Sequence, residues 1–180
     1  RLKKYLPNDI NQSCDYVNHL LDYLDKYHLQ INLNNLLGSK VNLMTEIRDN
    51  NNLSKAVFDT MIKVPREIFV PIDKLSMSNM NRPLEVANGQ TISQPSLMAY
   101  MIELLELDKY DRKHVRVLEI GTCSGYNVVL MQNILNMYDY RSYTIDTVEI
   151  IKKLVSISIK NIKNYGYNSY QKNVLINDKI

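Results

Sequence analysis

The chain has 180 residues, enough for one domain with a sizeable core and too few for two complete ones. Its formal charge of +3 is dispersed along the sequence, which excludes the basic block of a dedicated nucleic-acid binder. Cys14 and Cys123 are far apart, with no CxxC pair and no histidine cluster beside them. Neither a metal site nor a disulfide framework is therefore expected, and a reducing, cytoplasmic compartment fits. No apolar run reaches the ~18 residues that span a bilayer, so no membrane association is expected. The basic start "RLKK" leads into Tyr, Pro, Asn and Asp rather than an apolar signal core, although a first residue of Arg leaves an upstream targeting segment open.

In chain order, residues 13 to 29 place Val17, Leu20, Leu21, Leu24 and His28 on one helical stripe, with Ser13 as the N-cap. His19 and His28 on this helix have no ligand-spaced partners and are read as structural or solvated. "INLNNLLGSK", 31 to 40, reads as a linker or a short turn because Asn favours turns and Gly38 stops helices. Short helices are expected over 41 to 49 and 53 to 63, the second ended by Val64-Pro65, since proline pushes its predecessor out of helical geometry. Residues 66 to 95, with Pro71, Pro83, Pro95 and Gly89, read as an ordered loop whose length points to function. Within it Asn88-Gly89 is a turn that positions Gln90 to Ser93.

After Pro95 the pattern becomes regular: helix "SLMAYMIELLEL", strand "VRVLEI", helix "YNVVLMQNILNMY", strand "SYTIDTVEI", helix "IKKLVSISIKNIKNYG", strand "QKNVLIND". Such alternation implies right-handed crossovers and an α/β domain with a parallel sheet and helices on both faces. Ligands on such sheets bind beyond the carboxyl ends of the strands. "RVLEIGTCSGYN" lies at one such end. Gly121 allows a tight turn and a close backbone approach, and Gly125 allows close packing at the following helix.

A dinucleotide fingerprint needs glycines at the third and sixth positions of G-x-G-x-x-G, but Cys123 and Tyr126 stand there. The order Glu119-x-Gly121-x-Cys123-x-Gly125 instead resembles the signature of class I S-adenosylmethionine-dependent methyltransferases. Glu149, at the end of the next strand, can accept hydrogen bonds from both hydroxyls of a ribose. Asp146, three residues earlier, faces the other way because side chains alternate along a strand. Asp178 ends the following strand, where this fold meets an adenine.

"VPREIFVP", "RPLEVANGQTISQP" and "LEIGTCSGY", in this order and spacing, together resemble the protein-L-isoaspartate O-methyltransferase family over about Leu43 to Asp178. The resemblance implies a Rossmann-like class I methyltransferase sheet. It also implies methyl transfer from S-adenosyl-L-methionine to the α-carboxylate of L-isoaspartyl and D-aspartyl residues, which begins repair of damaged proteins. The family's T-I-S motif falls on Thr91, Ile92 and Ser93, with Ser93 as the active-site serine. The cofactor set falls on Thr91, Ile92, Ser93, Glu119, Gly121, Cys123, Gly125, Glu149 and Asp178. A carboxylate is already ionised at neutral pH, so its methylation needs alignment rather than a base, and Ser93 is cast as a hydrogen-bond donor.

Asn81, Glu85 and Ala87 depart from the family pattern on the peptide-binding side. Residues 1 to 40 fall outside the resemblance and are read as a helical extension that packs or docks, with 41 to 180 as a methyltransferase domain. The family's domain continues beyond the third strand, so this domain is expected to be C-terminally incomplete and, alone, to bind cofactor poorly. Two other readings stay open: a relative that keeps the fold without activity, and a methyltransferase with an RNA or small-molecule substrate. Damaged proteins and peptides are the implied partners, with a monomer as the expected state.

Overall fold

The computed structural model describes residues 10–110, 114–138, 140, 142–167 and 174–177. The order begins with helices α1 (Ile10–Lys26), α2 (Leu33–Asn50) and α3 (Lys55–Lys63), followed by 3-10 turns at Arg66–Phe69 and Ile72–Met77. Strands β1 (Leu84–Ala87) and β2 (Gln90–Ile92) come next, then α4 (Pro95–Glu103), β3 (Val115–Ile120), α5 (Tyr126–Met137), β4 (Tyr143–Val148), α6 (Lys152–Asn164) and β5 (Val174–Asn177).

α1 starts earlier than expected, so Ser13 lies inside the helix rather than capping it. Its buried stripe is Tyr16, Leu20, Tyr23 and Leu24, while Leu21 is 42% exposed. Tyr16 and Tyr23 thus join the stripe, Val17 packs against its edge, and Leu21 lies outside it. The expected linker at 31 to 40 is instead, from Leu33 on, the first half of α2, which runs unbroken to Asn50. The side chain of Asn32 accepts a hydrogen bond from the Asn35 amide and caps the helix. Leu36, Leu37, Lys40, Leu43, Met44 and Ile47 then form one buried stripe. Burial of that stripe outweighs the ~1 kcal/mol that Gly38 costs in a helix interior. α3 ends at Lys63, with Val64 extended ahead of Pro65 as the sequence requires.

The ordered loop contains a hairpin that the sequence reading did not resolve into strands. β1 and β2 pair antiparallel with Leu84 opposite Ile92 and Ala87 opposite Gln90. The two turn residues, Asn88 and Gly89, have φ of +55° and +70°, the left-handed pair that Asn-Gly supplies in a tight hairpin.

The remaining strands form a parallel sheet in the order β3-β4-β5, with Val117 opposite Ile145 and Val148 opposite Asn177. Strand order advances one way, so right-handed crossovers put α5 and α6 on the same face. Val128, Val129, Leu130, Ile134 and Leu135 of α5 are buried there with Ile145 of β4. Toward the other face Leu118 and Ile120 are 64% and 81% exposed. α1 joins the same continuous core, and its His19 stacks on Tyr165 with ring centroids 4.4 Å apart.

Candidate functional site

The site is built at the carboxyl end of β3, where alternation brings Glu119 onto the inner side and the chain then turns sharply. Gly121 and Thr122 both donate their amides to the Val148 carbonyl, at 2.8 and 3.2 Å, and so tie the turn to the end of β4. The Gly125 amide closes it on the Thr122 carbonyl at 2.8 Å. This path needs φ of +92° at Gly121, +48° at Cys123 and +81° at Gly125. Glycine adopts such values freely, whereas an L side chain there carries ~1–2 kcal/mol of strain. Gly125 is also constrained by packing, since a Cβ there would lie 3.0 Å from the Ile162 side chain of α6. From α6, Asn161 donates to the Ser124 carbonyl at 3.1 Å and fixes the turn from behind.

Glu119 accepts from Thr147 Oγ1 at 2.5 Å and from Asn127 Nδ2 at 2.8 Å. Burial pushes its carboxyl up to about 7, although the two hydrogen bonds pull it down; the charge of nearby Glu149 adds to the rise. Glu149 follows β4 directly and is itself buried. One of its oxygens accepts the Cys123 amide at 2.9 Å and the other the Ile151 amide at 3.0 Å. Each carboxylate oxygen can take a further donor, so capacity for two hydroxyls remains. Asp146 does face the other way, where it pairs with Arg116 at 3.0 Å. Burial raises the Cys123 thiol to about 11, with the Glu149 and Glu119 charges adding and a hydrogen bond from the Ser124 backbone opposing. The thiol is therefore un-ionised and a poor nucleophile at neutral pH.

Two clefts meet at the turn. One, of about 320 Å³, is bordered by Thr91, Ile92, Ser93, Glu119, Gly121 and Cys123. The other, of about 380 Å³, is bordered by Gln90, Gly121, Cys123, Glu149, Ile150 and Leu154. Thr91, Ile120, Gly121 and Cys123 border both. The hairpin reaches the turn directly: Cys123 Sγ lies 3.5 Å from the Thr91 carbonyl. Of the expected site residues, Thr91, Ile92, Ser93, Glu119, Gly121, Cys123 and Glu149 converge on these clefts, while Gly125 backs the turn. Asp178 lies outside the described residues.

Sequence reasoning missed the groups that hold these residues in place. Arg66 is 1% exposed, and its guanidinium donates to the carbonyls of Ser78 (2.6 Å), Ser93 (3.0 Å), Arg82 (3.3 Å) and Ile92 (3.4 Å). The signal was present in "VPREIFVP", where an Arg-Glu pair interrupts an apolar run. Thr147 and Asn127 carried no such signal. The departing residues have local tasks: Asn81 accepts the Ser96 amide at the start of α4, and Glu85 pairs with Lys74 at 3.7 Å.

An acid at the end of one parallel strand, a glycine turn and a second acid at the end of the next define the cofactor half of a class I methyltransferase fold. The profile of the protein-L-isoaspartate (D-aspartate) O-methyltransferase family matches residues 38–178. Relatives from Ignicoccus hospitalis and Archaeoglobus fulgidus, both named protein-L-isoaspartate O-methyltransferases, are each 38% identical over 124 and 127 residues. These matches take in 69% and 71% of this chain but 54% and 55% of the relatives, so the chain spans about half the length of the curated relatives it matches. A solved protein-L-isoaspartate O-methyltransferase superposes with a TM-score of 0.59 at 27% identity, over 77% of this chain and 41% of that one. A Plasmodium falciparum structure described as a putative member, in complex with S-adenosyl-L-homocysteine, gives 0.62 at 23% identity over 77% and 62% of the two chains, and supports the fold. The chain belongs to the protein-L-isoaspartate (D-aspartate) O-methyltransferase family. Among the described residues no helix is long and apolar enough to cross a membrane.

Proposed function

We propose that the protein methylates the α-carboxylate of L-isoaspartyl and D-aspartyl residues with S-adenosyl-L-methionine, the first step of their repair. The observation that carries this reading is the junction of the hairpin with the glycine turn, where Thr91 and Cys123 border both clefts. The residues present suit the cofactor. Gly121 leaves open space for a close approach, Glu149 keeps acceptor capacity for ribose hydroxyls, and Ile150, 75% exposed, offers an apolar surface beside it for a base. Asp178 is assigned to the adenine side by family resemblance alone.

When bound, the cofactor supplies an electrophilic methyl group on a sulfonium. The chain's own contribution is to bind and orient. Glu149 and the open backbone at Gly121 hold the nucleoside end, Glu119 braces the turn through Thr147 and Asn127, and Gly125 keeps α6 close behind it. The hydroxyl of Ser93, exposed at the mouth of the first cleft, donates to the incoming carboxylate and aligns it for attack. Alignment of this kind supplies much of the acceleration in a reaction that needs no base. The un-ionised Cys123 thiol has no part in the chemistry.

Residues 41–180 form the methyltransferase part in this reading, with 1–40 as a helical extension. Two free, distant cysteines suit a reducing, cytoplasmic compartment, and the dispersed charge suits a protein or peptide partner better than nucleic acid. Radiolabelled methyl transfer to an isoaspartyl peptide, against the matching aspartyl peptide, tests the substrate. Equilibrium binding of S-adenosylhomocysteine tests the site. Transfer confined to the isoaspartyl peptide supports the reading. Binding without transfer to either peptide overturns the substrate assignment; weak binding is what the partial length of the chain predicts, and no binding at all overturns the cofactor assignment.

A further inference from the structure

Ser93 sits at the end of a short hairpin with nothing regular beyond it but α4, yet methyl transfer requires its hydroxyl to hold one position. Backbone carbonyls either side of that hairpin converge on one buried cation. Arg66 Nη2 lies within 3.4 Å of the carbonyls of Arg82, Ile92 and Ser93, and Nη1 lies 2.6 Å from that of Ser78. One planar fork thus joins the entry and the exit of the hairpin. Burial lowers the Arg66 guanidinium to about 10, so it stays charged at neutral pH.

The neighbouring residue, Glu67, is fully buried as well. Its Oε1 accepts from Tyr16 and from Asn79, each at 2.7 Å. Buried Lys40 packs over the Tyr16 ring at 5.0 Å and donates to the Met61 carbonyl at 2.7 Å. Tyr16 belongs to α1, ahead of the residues that match the family, so this contact joins the extension to the segment that carries Ser93. An apolar core would have been the simpler solution here, because burying polar and charged groups costs free energy even when they are hydrogen-bonded. What the arrangement does supply is a fixed position for a loop.

We infer that Arg66 is a positioning residue for methyl transfer, holding the Thr91–Ser93 segment in register with the cofactor turn, and that Tyr16 of the N-terminal helix supports it through Glu67. The inference rests on the function proposed above. Its test uses Arg66→Lys, which keeps the charge but loses the fork, and Tyr16→Phe, which removes one hydrogen bond and keeps the ring. Both are measured in the full chain by peptide methylation, by S-adenosylhomocysteine affinity and by hydrogen exchange of backbone amides.

For Arg66→Lys we expect kcat with an isoaspartyl peptide to fall at least tenfold while cofactor affinity changes less than twofold. Amides of residues 91–94 should exchange about tenfold faster, with those of α5 unchanged. Tyr16→Phe should move the same two quantities two- to fivefold. A merely structural role would speed exchange throughout and leave kcat per folded molecule intact, and that result overturns the inference. Should Arg66→Lys fail to fold, Tyr16→Phe decides alone on the same criteria. If the unaltered chain transfers no methyl group, the function proposed above fails. The positioning role in methyl transfer then falls with it, and exchange at residues 91–94 judges the anchoring alone: local acceleration upholds Arg66 as the anchor of this segment and unchanged exchange overturns that too.

Discussion

Cys123 occupies the one position of the turn where a side chain is held in glycine's conformation, and replacing it should reveal what that costs. At φ +48° an L residue carries ~1–2 kcal/mol relative to glycine. Glycine returns ~0.5–1 kcal/mol of this through the greater freedom of its unfolded chain. The Sγ contact with the Thr91 carbonyl, at 3.5 Å, is weak and contributes about 0.5 kcal/mol. Cys123→Gly should therefore change stability by only about 0.5 kcal/mol, in the stabilising direction, which is a rise of ~1–2 °C in Tm for a chain of this size. Cys123→Ala keeps the unfavourable φ and loses the sulfur, so it should be less stable than Cys123→Gly by about 1 kcal/mol. The difference between the two variants isolates the backbone from the thiol. Thermal unfolding gives the stabilities, and S-adenosylhomocysteine titration checks that affinity is kept or improved in Cys123→Gly. A Cys123→Gly variant that is more than 1 kcal/mol less stable than Cys123→Ala, or that binds tenfold more weakly than the unaltered chain, would refute the reasoning.

Glu119 makes stability depend on pH. Its folded-state value, about 7, is raised above the ordinary 4.5, so the folded state holds a proton that the unfolded chain has released. That stabilisation is complete below about pH 4.5 and gone above about 7, a fall of up to about 3 kcal/mol as pH rises through the window. Denaturant titrations at pH 5 and 8 should show this fall, and Glu119→Gln should flatten it; an equal slope in the variant would sink the assignment. Gly125→Ala combines a φ of +81° with a Cβ 3.0 Å from Ile162, and should cost at least ~2 kcal/mol by thermal unfolding. Ser93→Ala should lower peptide turnover while S-adenosylhomocysteine affinity stays within about twofold, the two being measured on the same preparation.

The parallel half of the molecule was legible because its signals are local and periodic. "VRVLEI" is β3 residue for residue, and α5, β4 and α6 begin within a residue of where the pattern puts them. α2 was obscured because asparagines and a glycine suggested a break, and only burial of Leu36, Leu37 and Lys40 in three dimensions decides otherwise. The hairpin was obscured by brevity: strands of four and three residues are too short for alternation to register, although Asn88-Gly89 marked the turn. In the site, residues that face the clefts were found by motif. Those that steady them were not: the Arg-Glu pair inside an apolar run marks Arg66 as unusual, but its carbonyl partners lie 12 to 27 residues away and only the fold identifies them.

The N-terminal helix is fastened to both ends of the fold that follows it. Tyr16 reaches Glu67, 51 residues on, while Lys26 and Tyr27 meet Asn164 and His19 stacks on Tyr165. At ~5–20 residues per second, synthesis delivers Asn164 roughly 7 to 30 s after Lys26 has been made. For that time the partners of His19, Lys26 and Tyr27 are missing. α1 is thus made well before its last partners, and the interval in which a chaperone could engage its uncovered face is set by translation rather than by the intrinsic speed of helix formation.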